Sequence, residues 1–495
     1  MPRLLILLML LLPGLLPAQE IPSQGSMTLG AFVQAMRNCK DSVFVLRQVR
    51  ITPDPVGDQY YLQDVRNVHH SWNPVFQGTD TVSIRAKVQL DRVQFAESCV
   101  LPMLHFQQLV QLEKVEISGD LFFRACVFAQ GIRCSDLKAE QLGFDHCQFF
   151  QEFWAERIVG VIPFTNNRMD GNFQLSNTDA PLNIQIRHSD FNIQTLEMAS
   201  QKGGEVIFEN TFVSGIDSTS FIHLGGSGYF DYLTMERDTF LCTLLITDCS
   251  VKERLNIFKC RFAEKVAMQG LDVPEKNTDA RWYQFDQSHL AIATEGIMVF
   301  SSSTALSTDS EDDFYSLIKV YYQLLRAYKY TGDEESYDAC FIEMKDLITR
   351  KSRWNWNQGH KMNDFAEWQL NRFLRLFCDY GVNPGKALVM SLFFIALFGL
   401  IYLLFPLEPL PFNWSDLFIG LFGRRLSFIQ RVYLLGIVLS CWFSACGYSM
   451  NAFVTLGYGH GRGFARYIAV AEGLLGWFMF SVFSASLIGQ ILSQG

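Results

Sequence analysis

The sequence predicts a mixed architecture: a right-handed parallel β-helix, or solenoid, as head, an α-helical hairpin as neck, and an α-helical transmembrane tail. Three observations carry this expectation. A six-residue pattern, apolar-x-x-small/polar-x-apolar, recurs about every 20 to 22 residues through the first half of the chain. Amphipathic helical periodicity begins only beyond residue 312. Residues 386 to 495 are strongly apolar, whereas residues 25 to 380 have the mixed composition of a water-facing domain.

Residues 1–18 carry an early Arg3, a run of leucines and a small residue, Ala18, ahead of Gln19-Glu20. They read as a secretory signal peptide, too short and wrongly flanked for a spanning helix. An uncleaved anchor is the alternative, and both place the head outside the cytoplasm. The twelve cysteines include no CxxC pair with partners that suggest zinc, and several share one repeat position, which favours packing. A net charge of −9 without a basic stripe argues against a nucleic-acid partner.

The head spans residues 25–300. Its pattern reads Phe123-Arg-Ala-Cys126-Val-Phe128, Phe144-Asp-His-Cys147-Gln-Phe149, Phe164-Thr-Asn-Asn167-Arg-Met169, Ile186-Arg-His-Ser189-Asp-Phe191 and Ile207-Phe-Glu-Asn210-Thr-Phe212. Further copies end at Phe240, Val251 and Phe262, about 11 residues apart, as if successive faces of one coil matched. Stacked coils would align Cys126, Cys147, Asn167, Ser189 and Asn210 in one ladder between apolar ladders. The coil length resembles that of pentapeptide-repeat and pectate-lyase-like solenoids, although the strict five-residue rhythm is missing. A β-sandwich is the competing fold. Asp145, Asp190, Asp238 and Asp248 form no evident cluster with Arg or Lys, so they read as turn and cap groups and the chain is not expected to be an enzyme. His146 and His188, two coils apart, would share a face at roughly 10 Å, too far for joint metal ligation.

A polar linker, residues 301–312, leads to a helical neck over 313–385. Leu317, Val320, Tyr321, Leu324, Leu325 and Tyr328 mark one helix, Thr331-Gly-Asp333 a turn, Tyr337 to Thr349 a second helix, and about Asn363 to Tyr380 a third. Trp354, Trp356 and Trp368 suit either an interfacial belt or a core.

Three apolar runs follow, each long enough to cross about 30 Å of hydrocarbon. They assign a first span to 386–406, a cytoplasmic loop to 407–425, an outer helix to 426–443, a pore helix to 444–454, and an inner helix to 466–491. Between the last two stands Thr455-Leu-Gly-Tyr-Gly459. A dehydrated K⁺ needs stacked rings of backbone carbonyls, and a strand that aims successive carbonyls inward needs glycines.

On that motif, and on the Arg466-Tyr-Ile-Ala-Val-Ala-Glu-Gly-Leu-Leu-Gly-Trp-Phe run after it, residues 426–495 resemble the pore domain of potassium channels of the two-helix type. The resemblance implies a selectivity filter of Thr455, Leu456, Gly457, Tyr458 and Gly459, with K⁺ held at the first four. It implies a gating hinge at Gly476, for which close helix packing is the alternative role. It implies a homotetramer, and no cofactor beyond the permeant ion. Two filter-support positions depart from the family: His460 stands where Asp is usual, and Asn451 where some members place Glu.

A filter entering from outside and an exported head require one extra crossing, which the first span supplies. The positive-inside count is mixed: Arg424, Arg425 and Arg431 would be cytoplasmic, and Arg372, Arg375 and Lys386 outside. The rival topology makes the first span the outer pore helix and keeps the head in the cytoplasm. The expected location is a cell (inner) membrane, multi-pass, in contact with lipid. No span carries Arg or Lys at every third position, so voltage sensing is not expected, and the head, through an unknown ligand or partner, is the expected gate. The alternative function is a membrane-anchored β-helix scaffold whose pore-like tail conducts weakly or not at all.

Overall fold

The computed structural model describes residues 19–20, 25–53, 81–268, 270–285, 290–294, 298–301, 311–405, 428–455 and 464–493. The expected signal peptide, most of the linker and the loop before the outer helix lie outside them. The chain divides into two compact units, residues 1–341 and 342–495.

The first unit is a β-solenoid of about 10 turns over residues 25–280. Strands pair in parallel with the equivalent strand one coil on. Val110, for instance, lies between Val88 and Ile132. One apolar ladder runs Leu101, Phe123, Phe144, Phe164, Ile186, Phe208, Met235, Ile257. A second runs Phe106, Phe128, Phe149, Met169, Phe191, Val213, Phe240, Phe262. Identical side chains at the coil spacing stack as offset rings: Phe128 and Phe149 are 4.9 Å apart at 5°, and Phe240 and Phe262 5.5 Å apart at 7°.

The corners explain the repeat. Met103, Ala125, His146, Asn166, His188, Asn210, Arg237 and Lys259 all adopt left-handed φ between 50° and 59°. Each turns the chain so that the next residue points inward. Those next residues include Cys126, Cys147, Asn167, Ser189, Thr211, Asp238 and Cys260, all buried. The expected ladder is therefore corrected in one coil, where Thr211 and not Asn210 is the inward residue. Phe212 is accordingly 41 % exposed while Val213 is buried. Three consecutive apolar residues, Val206, Ile207 and Phe208, made the register ambiguous, and the left-handed Asn210 decides it. A second corner column, Arg92, Lys114, Asp136 and Arg157, is followed by Val93, Val115, Leu137 and Ile158 and accounts for the 11-residue half-repeat.

Both ends of the solenoid are covered, as an unpaired sheet edge requires. Helix α1 (Leu29–Asn38), for which the sequence carries only a weak signal, is capped by Thr28 Oγ1, accepting from Ala31 N at 3.3 Å, and buries Leu29, Phe32, Val33 and Met36. At the other end, α2 (Glu311–Thr331) lays Tyr321 against Trp282, and Tyr328 donates its hydroxyl to Ala280 O at 2.5 Å. Ser336, in α3 (Glu334–Gly359), accepts from Trp282 N at 3.0 Å. The strand pair Leu290–Thr294 and Met298–Ser301 is antiparallel, an exception to the solenoid's parallel pairing.

In the second unit, the end of α3 is followed by α4 (Met362–Cys378), a short 3₁₀ turn (Asp379–Gly381), α5 (Pro384–Leu404), α6 (Phe428–Thr455) and α7 (Phe464–Ser493). The stretches Pro384–Leu404, Val432–Thr455 and Ala465–Ala485 are long and apolar enough to cross a membrane. The expected outer helix and pore helix are one continuous α6 of 28 residues, about 42 Å long. No proline and no left-handed residue interrupts it near residue 443, so nothing local ends the first helix and starts a second.

Candidate functional site

Thr455 is the last residue of α6, and its Oγ1 donates to Asn451 O, one turn back, at 2.6 Å. Leu456, Gly457, Tyr458, Gly459 and His460 lie outside the described residues. They fall in the eight-residue stretch 456–463 that links α6 to α7. Asn451 is exposed, and its side-chain amide makes no hydrogen bond among the described residues.

Gly476 lies inside α7 with helical φ, against Phe453 on α6. A Cβ there would fall 2.8 Å from Phe453 Cγ and 2.9 Å from its carbonyl carbon. Glycine therefore permits a close helix crossing two residues before Thr455. Ala452 and Ala469 pack with Tyr402 beside it, and Phe377, Ala387, Phe453 and Met479 form the next layer. Two turns earlier along α6, Gly399 of α5 receives Cys446, whose backbone N would be 3.2 Å from an added Cβ.

Behind this crossing lies a polar cluster that the sequence reading passed over. Tyr402 Oη of α5 is 2.6 Å from Glu472 Oε2 of α7. Ser449 Oγ of α6 hydrogen-bonds Glu472 Oε1 and lies 3.0 Å from Ile395 O of α5. Glu472 and Ser449 are both 0 % exposed. A lone acid inside an apolar run was the available signal, because a carboxyl in such a segment is costly and calls for partners.

The junction entering α5 is charged. Asp379 Oδ1 accepts from Lys386 Nζ at 2.8 Å and from Arg375, which also lies 3.2 Å from Asp346. Two of the three cations that unbalanced the positive-inside count are thereby paired. Tyr380 donates to Asp346 at 2.8 Å and sits 3.0 Å from Thr349 Oγ1. Burial first, and then the Asp346 carboxylate, push its phenol up to about 12.

The head's acids are dispersed. Asp145 pairs with Arg124 at 3.4 Å and His146 at 2.7 Å, Asp248 occupies a left-handed corner, and Asp238 is buried in the inward ladder. His146 and His188 stand in one corner column with Asn166 between them. No group of three or more His, Cys, Asp or Glu suited to a metal ion occurs among the described residues. Burial pushes the thiols of Cys99, Cys242, Cys249 and Cys260 up to about 12, away from the thiolate form, so they act as packing groups. No family model, no curated protein and no solved structure matches the chain.

Proposed function

We propose that the chain is a K⁺-selective channel that works as a homotetramer, with Thr455 to Gly459 as its filter and the solenoid as an extracytoplasmic regulatory head. The observation that carries this reading is the placement of the motif. Thr455 closes one apolar helix, the glycines follow at once, and a second apolar helix begins at Phe464. The carbonyl end of α6 bears the negative end of the helix dipole, which favours a cation beside it. Four copies would be needed, since one segment per chain cannot ring an ion. K⁺ passes by exchanging water for carbonyls of Thr455, Leu456, Gly457 and Tyr458, and the backbone does this work without a cofactor.

In this reading the head binds a ligand or partner and transmits the event through residues 363–386. K⁺ and Na⁺ flux in proteoliposomes tests the pore: the native chain should pass K⁺ preferentially and Gly457→Ala should not. Deleting residues 25–300 should change gating, and unchanged gating would remove the head from the mechanism.

A second reading is a membrane-anchored solenoid scaffold. The uninterrupted α6 favours it, because a re-entrant pore helix separated from an outer helix needs a break that α6 lacks. Absent flux from a tetrameric preparation would select this reading.

A further inference from the structure

The contacts around Glu472 can be counted in hydrogens. Three contacts join four groups: Tyr402 Oη to Glu472 Oε2, Glu472 Oε1 to Ser449 Oγ, and Ser449 Oγ to Ile395 O. Each needs one hydrogen. Tyr402 and Ser449 supply one each, and the Ile395 carbonyl supplies none. If Glu472 were ionised, two hydrogens would face three contacts, and the Ser449 hydroxyl would stand between two acceptors while able to serve only one. With a proton on Oε1 every contact is made: Tyr402 donates to Oε2, Glu472 donates to Ser449, and Ser449 donates to Ile395 O.

We propose that Glu472 is a proton-binding site within the apolar helices, whose neutral carboxyl completes a hydrogen-bond relay that ties α6 to both α5 and α7. The titratable groups facing it are Tyr402 from α5 and Tyr448 from α6, the latter set edge-on to Tyr402 with ring centres 5.2 Å apart. No Lys, Arg or His among the described residues forms an ion pair with it. A fully buried carboxylate with no cation beside it is far more costly than a neutral carboxyl that donates and accepts. The relay grips α6 at Ser449, six residues before Thr455. Loss of the proton would leave a buried charge and oblige Ser449 to release Ile395, removing the α6–α5 hydrogen bond nearest the motif while the Gly399–Cys446 packing stays in place. This inference stands apart from conduction, since it concerns one proton and three helices.

Infrared spectra of the full chain in lipid vesicles read the carboxyl directly. At neutral pH the wild type should show a protonated-acid carbonyl band that Glu472→Gln lacks, a comparison that leaves the Asp238 carboxyl common to both. Tyr402→Phe, which removes only the hydrogen bond to Oε2, should move that band to higher frequency. A difference spectrum containing only carboxylate bands would overturn the proposal. So would a protonated band unmoved by Tyr402→Phe, and that variant decides the matter should Glu472→Gln fail to fold. None of these outcomes depends on flux, so a non-conducting chain leaves the test intact.

Discussion

Gly476 on α7 lies directly beneath the backbone of Phe453 on α6, and no side chain larger than hydrogen fits between them. Replacing Gly476 by Ala should drive the helices apart and cost about 1–3 kcal/mol. Gly436, also in α6, has nothing within 4 Å of an added Cβ. Gly436→Ala should be neutral or stabilising by about 1 kcal/mol, from helix propensity alone. Melting of both variants in detergent checks this. Equal melting temperatures would mean that the crossing does not need the glycine, leaving bending as its reason.

Asp379 answers two cations and adopts left-handed φ of 49°, followed by Tyr380 at 58°. Asp379→Ala should leave Arg375 and Lys386 without their shared carboxylate and destabilise the junction by about 1–2 kcal/mol. A double-mutant cycle with Lys386→Ala should return a coupling energy above about 0.5 kcal/mol. Strict additivity would show that the pair contributes nothing at the entry to α5.

Asp238 occupies the inward-ladder position that Asn167 holds three coils earlier, where the Asn167 amide accepts from Cys147 N at 2.7 Å and donates to Phe144 O at 2.8 Å. Asp238 Oδ1 likewise accepts from Thr211 N at 2.7 Å. Burial, with Glu209 and Glu236 adding to it, raises the carboxyl from 3.8 to about 7. The folded state therefore holds a proton that the unfolded state loses near pH 4. Its contribution is complete below that pH and fades as pH rises to about 7, by up to about 4 kcal/mol. Asp238→Asn should flatten this slope and raise the urea midpoint of the head transition at pH 8. An unchanged slope across pH 4 to 7 would contradict the protonated ladder.

Phe32 seals the first coil, with its ring edge-on to Phe95 at 6.1 Å and tilted against Phe44 at 6.2 Å. Phe32→Ala should cost about 3–5 kcal/mol and expose the first strands to edge pairing. Light scattering on warming should register aggregation well before the wild type aggregates.

The solenoid was legible because its cause is local. An apolar residue, a left-handed corner and a small inward residue recur with the coil, and each acts within a few positions of itself. Only where Val206, Ile207 and Phe208 offered three apolar choices did the register slip by one, and the stacked neighbours Ile186 and Met235 resolve it. α1 was missed because ten residues of mixed polarity ahead of a strand carry a weak signal, and its purpose, covering an edge, exists only once the edge does.

Apolar length alone determined that the C-terminal helices can span a membrane, and the Thr455–Gly459 motif alone raised the expectation of a filter. Tertiary structure decided the rest of the site. Glu472 is visible in the sequence as one acid in an apolar run, but Tyr402 and Ser449 lie 70 and 23 residues away from it. Likewise, the contact of Gly476 with Phe453 cannot be read from the chain and is seen only where the two helices meet. Periodicity records which face of a segment avoids water, whereas a hydrogen bond or a backbone crossing depends on which two segments meet, and that is settled only when the whole chain packs.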